Sequence, residues 1–205
     1  MTTHPWHLGL LVTVAAVFLW SAIKPASYTL WMMEMVPLLL GVALLALTYR
    51  RLTLTTLCYG WIAACLIWGA VGGHYGYSHV PWFDWLKDHF HLQRNHFDRV
   101  GHFIQGIATA LVARELLLRL TPMKPGWLLT GYVLAAGLAL SSIYEFFEWA
   151  VVGMGLPLSA DFAGMQGDPW DAQWDMFLAF AGSVLALTLF TGYQDQALRQ
   201  KLWQR

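Results

Sequence analysis

Residues 126–152 read GWLLTGYVLAAGLALSSIYEFFEWAVV, with no Lys, Arg or Asp; the only charged side chains are Glu145 and Glu148, near the end. A helix needs roughly 20 mostly apolar residues to cross bilayer hydrocarbon, and this stretch exceeds that. Five more stretches approach or exceed the same length, at 6–23, 30–49, 54–73, 97–118 and 169–193. The predicted fold class is therefore all-α: a polytopic membrane protein with six transmembrane helices in one bundle. Residues 1–205 form a single membrane domain in this reading.

Composition agrees. The chain is 58% hydrophobic and 12% charged, against roughly 25% charged in average globular domains. Mean hydropathy is +0.49. The 12 Trp residues suit a protein with two membrane interfaces. A net charge of zero gives no reason to expect nucleic-acid binding. Cys58 and Cys65 share one apolar segment, so no disulfide framework is implied. The first stretch lacks a basic n-region and a small-residue cleavage site, and reads as a retained helix. Pro25, Pro122 and Pro125 punctuate helix ends, whereas Pro37 is expected to kink the second helix. There is no internal repeat.

Topology follows from Lys and Arg. Arg50, Arg51, Arg114, Arg119, Lys124, Arg199, Lys201 and Arg205 fall on one side of the six-helix arrangement; only Lys24, Lys87, Arg94 and Arg99 fall on the other. By the positive-inside rule both termini are cytoplasmic, in a bacterial inner membrane. The two long connections, 74–96 and 153–168, then face outward. The 74–96 outer loop carries Trp82, Phe83, Trp85 and Phe90 around Asp84, Lys87 and Asp88. Such an amphipathic segment suits the membrane interface, as an anchor or as a lid.

Nearly all the acids lie at that outer end, Asp161 among them, as do six of the eight histidines; His4 and His7 belong to the N-terminal end. Some of these acids have a structural explanation. Asn95-x-x-Asp98 matches a helix N-cap with an acid at N3, and Asp168-Pro169-Trp170-Asp171 has the same form with Pro at the first helical position. The deeper residues are not explained this way. His102 follows Asp98 at i+4 and Asp175 follows Asp171 at i+4, each pair on one helical face. Glu145 and Glu148 sit near a helix C-terminus, where the macrodipole disfavours anions by roughly 0.3–1 kcal/mol.

Three helices thus each present a polar pair toward one membrane face. Carboxylates and imidazole converging from several helices form the inner wall of bundle metal sites. The candidate metal ligands are Asp98, His102, Glu145, Glu148 and Asp175, with His74 as a second imidazole. An oxygen and imidazole donor set suits a divalent metal such as zinc, manganese or iron. Two competing readings remain open: an ion-pair network with Arg94, Arg99 or Lys87, and a site that holds protons or a substrate cation.

The stretches Arg94-Asn-His-Phe-Asp-Arg-Val-Gly-His-Phe-x-Gln-Gly106, Tyr144-Glu-x-x-Glu-Trp149 and Gln166-Gly-Asp-x-Trp-Asp-Ala-Gln-x-Asp-Met176 resemble the YjdF-type family of bacterial inner-membrane proteins over nearly the whole chain. That resemblance implies a location and a topology, and no reaction. The order of motifs is also distantly similar to VanZ-type membrane proteins, from which the glutamate pair departs. No catalytic residue is carried over from either group.

The leading expectation is a divalent-metal-dependent hydrolase acting on a lipid or lipid-linked headgroup. Asp171 or Glu148 would serve as general base, and Arg99 or Arg94 would hold an anionic headgroup. The alternatives are a proton- or cation-coupled transporter and a structural or assembly protein. The absence of an inverted repeat or of paired broken helices weighs against transport.

Overall fold

The starts of two apolar stretches are fixed by side-chain caps. Ser27 accepts a hydrogen bond from the Leu30 amide, and Thr55 accepts one from the Cys58 amide. The resulting helices are α2 (Tyr28–Thr48) and α3 (Thr56–Tyr75). α2 runs on through Pro37 as one element, while α3 stops at Gly76, which adopts φ +81°. The structure is a computed structural model describing residues 5–155 and 162–202. Asp161, His4 and Arg205 lie outside the described residues, as does part of the 153–168 connection.

Every regular element among the described residues is helical. Besides α2 and α3 these are α1 (Pro5–Ser21), a 3-10 turn at Tyr77–His79, α4 (Pro81–His89), α5 (Phe97–Leu120), α6 (Trp127–Gly153), α7 (Asp171–Leu189) and α8 (Thr191–Leu202). Four of them, α2, α3, α6 and α7, are long and apolar enough to cross a membrane. α1 is a shorter apolar helix of 17 residues. α5 has 24 residues, but it carries Asp98, Arg99, Arg114, Glu115 and Arg119 and is less apolar than those four. The stretch expected at 169–193 is shorter at both ends: Pro169 lies in a turn, and α8 starts afresh after Phe190.

α5 is the hub, packed by α3, α6 and α7, while α1 and α2 flank α3. Its charges therefore point at protein neighbours. α5 and α7 run parallel, with the antiparallel α6 beside both, so the N-termini of α5 and α7 and the C-terminus of α6 share one end. In the α5–α7 contact, glycine faces backbone. A methyl group on Gly106 would collide with the Ala179 carbonyl, and one on Gly182 with the Phe103 carbonyl. Small residues that let helix backbones touch are a common device for joining membrane helices. Ser183 adds a hydroxyl donation to the Gly106 carbonyl at 3.1 Å.

The apolar core, including Leu54, Cys58, Ile107, Leu111, Leu129, Val133 and Ala186, lies toward the other end. There Glu115, fully buried, ties α5 to α3. It accepts from the Thr55 amide (3.0 Å), the Thr55 hydroxyl (2.7 Å) and the Arg119 guanidinium (2.7 Å). Arg114 binds Gln194 at 3.0 Å and Asp195 at 2.6 Å, fastening α8 to the same helix. These buried charges are paired and satisfied, as buried charges must be.

Candidate functional site

The start of α5 is organised by residues just outside it. The N-cap position is His96, one residue later than the Asn95 cap expected from sequence. Asn95 still serves the helix start, because its Oδ1 accepts from the Phe97 amide at 3.0 Å. Its Nδ2 donates to the Val80 carbonyl at 3.2 Å and to Asp84 at 3.0 Å, tying α4 to the same point. Gln166 pairs with the Asn95 backbone in both directions at 2.9 Å. Among the described residues Asp98 makes no capping bond; its carboxylate turns inward toward His102.

The inner layer consists of Asp98, His102, Asp175, Glu145 and Glu148, all buried or nearly so. One ligand atom from each of Asp98, His102 and Asp175 lies within 4.8 Å of the others. The His102 Nε2 atom is 3.7 Å from Asp98 Oδ1 and 3.4 Å from Glu145 Oε1. Its Nδ1 lies 3.1 Å from the Ser141 hydroxyl of α6. Asp175 is 2% exposed, and among the described residues its Oδ1 has no hydrogen-bond partner, nor has Glu145 Oε1. Among the described residues, no Lys or Arg nitrogen lies within 4.0 Å of Asp98, Glu145, Glu148 or Asp175.

The arginines form a separate outer layer. Arg94, 5% exposed, donates to Asp171 and to the Gly164 carbonyl at 3.1 Å. Arg99 donates to Asp168 at 2.6 Å and lies over the Trp174 ring at 5.6 Å. Asp168 also accepts from the Trp170 amide at 2.9 Å. That bond and Arg99 hold its carboxyl below the usual carboxylate range. Asp168 thus caps the turn before α7, and the helix itself starts at Asp171. Both arginines accordingly pair with Asp168 and Asp171, and among the described residues neither comes within 4.0 Å of the inner acids. His96, at the α5 cap, is held below the usual histidine range by burial and by the nearby Arg99 and Arg94 charges.

Of the candidate ligands, the structure gathers Asp98, His102 and Asp175 around one point; Glu145 approaches His102 Nε2 at 3.4 Å, and Glu148 is buried one turn along α6 from Glu145. Asp171 and Arg99 belong to the outer layer. His74 is not brought in: its Nδ1 bonds the Ser21 carbonyl at 3.1 Å and its ring packs on Trp20. His89 stacks on Trp85 in α4. Sequence reasoning passed over Ser141 and Gln105, and placed Glu34 among the outer-end acids without a role in the site. Ser141 lies at i−4 from Glu145, on its face of α6. Gln105 lies at i+3 from His102, and its buried Oε1 has no partner among the described residues. Glu34, a lone acid within the apolar α2, is buried and accepts from the Tyr144 hydroxyl at 2.9 Å. Its signal was available, since a lone carboxylate in a membrane helix needs a partner or a role.

Buried carboxylates next to an imidazole, with orphaned oxygens and no Lys or Arg nitrogen within 4.0 Å among the described residues, form a donor set that fits a hard or borderline divalent ion. The same set can hold protons.

Comparison with known proteins adds a family and no reaction. Residues 6–196 match a family model described as "Predicted membrane protein (DUF2238)". The chain is 36% identical over 190 residues to the "Inner membrane protein YjdF" of Escherichia coli (strain K12), covering 92% of this chain and 90% of that protein. These matches carry the YjdF-type resemblance and not the VanZ-type one. No solved structure matches.

Proposed function

The chain belongs to the DUF2238 family of membrane proteins, and from that premise we propose that it is a divalent-metal-dependent hydrolase of the bacterial inner membrane, acting on a lipid or lipid-linked headgroup. The observation that carries the reading is Asp175. It is a fully buried carboxylate with an orphaned oxygen, held beside His102 and Asp98 with no arginine nitrogen within 4.0 Å among the described residues. An uncompensated buried charge costs several kcal/mol. A cation shared by Asp98, His102, Glu145 and Asp175, with Glu148 close by, removes that cost.

A divalent ion bound there would supply Lewis-acid polarisation of a phosphoryl or acyl oxygen and acidify a water molecule. The chain's own residues do the rest. Ser141 orients His102 through Nδ1, leaving Nε2 toward the carboxylates. Glu148 is the general base of choice, because Asp171 is already engaged by Arg94. The Arg94 and Arg99 pair holds the headgroup's negative charge. α4 brings the site to the interface: Trp82, Trp85 and Phe90 are exposed, and Asp84 is tied to Asn95.

Six spans and outward orientation belong to the same proposal. α1, at 17 residues, meets the lower end of the roughly 17–25 residues a span needs. In α5 no Asp, Glu, Lys or Arg occurs between Arg99 and Arg114, so its middle can sit at membrane depth inside the bundle. The positive-inside distribution puts both termini in the cytoplasm. At the polar end, Lys87, Arg94 and Arg99 are each paired with acids, which blunts the few cations on that side.

Elemental analysis of the detergent-purified protein, prepared without chelators, tests the reading. Wild type is expected to carry a divalent metal that His102→Ala and Asp175→Ala lose. Metal-free wild type whose thermal stability does not respond to added zinc, manganese or iron would overturn it. Solute uptake into vesicles, abolished by the same substitutions, would favour the transporter instead.

A further inference from the structure

Asp168 lies between two guanidinium groups, with its Oδ2 atom 2.6 Å from Arg99 Nη2 and 4.0 Å from Arg94 Nη1. It is the most exposed acid of the outer layer, at 27% for the side chain. It belongs to the short segment 162–168, which crosses the polar end of the bundle. Gly164 in that segment accepts from Arg94 and lies close to the Asp98 carboxylate; Gln166 pairs with the Asn95 backbone. The segment is therefore a strap at the inner cluster, fastened by Arg94 and Asn95 just before α5 and by Arg99 within it.

The two arginines hold unused capacity. Arg94 is 5% exposed, yet among the described residues its Nε has no hydrogen-bond partner, and neither does Arg99 Nε. A buried donor left unpaired is costly. Each aspartate offers only two oxygens to this pair, and Asp168 commits one of them to the Trp170 amide. A tetrahedral phosphate offers three or four oxygens and can engage a guanidinium in bidentate fashion. The amino ends of α5 and α7 converge on the same point and favour an anion there.

We propose that Arg94 and Arg99 form a subsite for a phosphate group, that Asp168 is the internal anion occupying it, and that phosphate displaces Asp168 from Arg99. This rests on the same site as the hydrolase reading and names its substrate class as a phosphate-bearing one.

The test uses the full chain in phosphatidylcholine nanodiscs, with inorganic phosphate titrated by calorimetry and Mn2+ binding followed separately by electron paramagnetic resonance. Asp168→Asn removes the competing charge and is expected to tighten phosphate binding about tenfold, the worth of one charge-assisted hydrogen bond. Arg99→Gln, at the less buried of the two arginines, is expected to lose phosphate binding while retaining Mn2+. Phosphate binding that is absent from wild type and Asp168→Asn, or equal in the two, overturns the proposal. Adding phosphatidic acid to the nanodiscs separates the sources. Displacement of inorganic phosphate identifies a lipid headgroup, and undiminished phosphate binding identifies a soluble phosphate compound. Should Mn2+ fail to bind while phosphate follows the expected pattern, the metal reading falls and the subsite stands. Should Mn2+ bind while phosphate does not, the subsite falls and the metal reading stands.

Discussion

The Nδ1 atom of His102 lies 3.1 Å from the Ser141 hydroxyl, and Nε2 on the far side of the ring lies 3.4 Å from Glu145. One nitrogen is thus anchored to α6, and in the metal reading the other is the ligand atom. Metal-binding histidines commonly have such a partner on the second nitrogen, and its loss typically costs about 10–100-fold in metal affinity. Ser141→Ala is expected to weaken metal binding by about that factor. Ser141→Thr, which keeps the hydroxyl, should restore it. Competition with a chromogenic chelator measures both.

The α5–α7 contact sets the site's width. Gly182→Ala forces a methyl against the Phe103 carbonyl, and overpacking of this kind costs on the order of 1–3 kcal/mol. Thermal unfolding in detergent should report the loss. Metal affinity should fall with it, since Asp175 stands on α7 and its neighbours Asp98 and His102 stand on α5.

Glu115 separates stability from function. Glu115→Ala takes the carboxylate from Arg119, which keeps its bond to the Thr53 carbonyl, and removes the acceptor of the Thr55 amide, at the end remote from the inner cluster. Breaking a buried pair from one side costs about 3–5 kcal/mol. The expected outcome is a large drop in thermal stability, with the metal affinity of the folded fraction unchanged.

The Asp168 fastening has a defined acid sensitivity. The Trp170 amide and then Arg99 hold its carboxyl below the ordinary range, so folding favours the charged form. Its stabilising contribution is fully present above the ordinary aspartate pKa and disappears as pH falls through the lowered folded value. The difference in Tm between wild type and Asp168→Asn should therefore stay constant at neutral and mildly acidic pH. It should close only in strong acid.

A C-terminal alkaline-phosphatase fusion checks orientation. With the terminus in the cytoplasm it is expected to be inactive. An active fusion would place Asp98, His102 and Asp175 on the cytoplasmic side.

Much of the fold is legible without coordinates because membrane helices announce themselves by length and apolarity. The stretch at 126–152 became α6, Trp127–Gly153, almost unchanged. Boundaries failed where local bonding outweighed pattern. Pro169 looked like a first helical residue, but Asp168 accepting from the Trp170 amide holds a turn there, and α7 starts at Asp171. The i+4 pairs Asp98–His102 and Asp171–Asp175 were equally plain in sequence, and the structure treats them differently. Asp171 goes to Arg94, 77 positions away in the chain, and no local spacing reveals that.

By itself, the sequence determined a helical membrane protein with its acids and histidines gathered toward one end. Apolar length and residue type are properties of single segments, and so they survive without a tertiary fold. Only the tertiary structure decided which acids are neutralised and which are left together. That sorting depends on Gly106 and Gly182 bringing α5 against α7, which sets Asp175 beside Asp98 and His102 and leaves Arg94 and Arg99 with Asp171 and Asp168. Helix approach is fixed by packing between distant segments, and a pattern read along one helix carries no information about it.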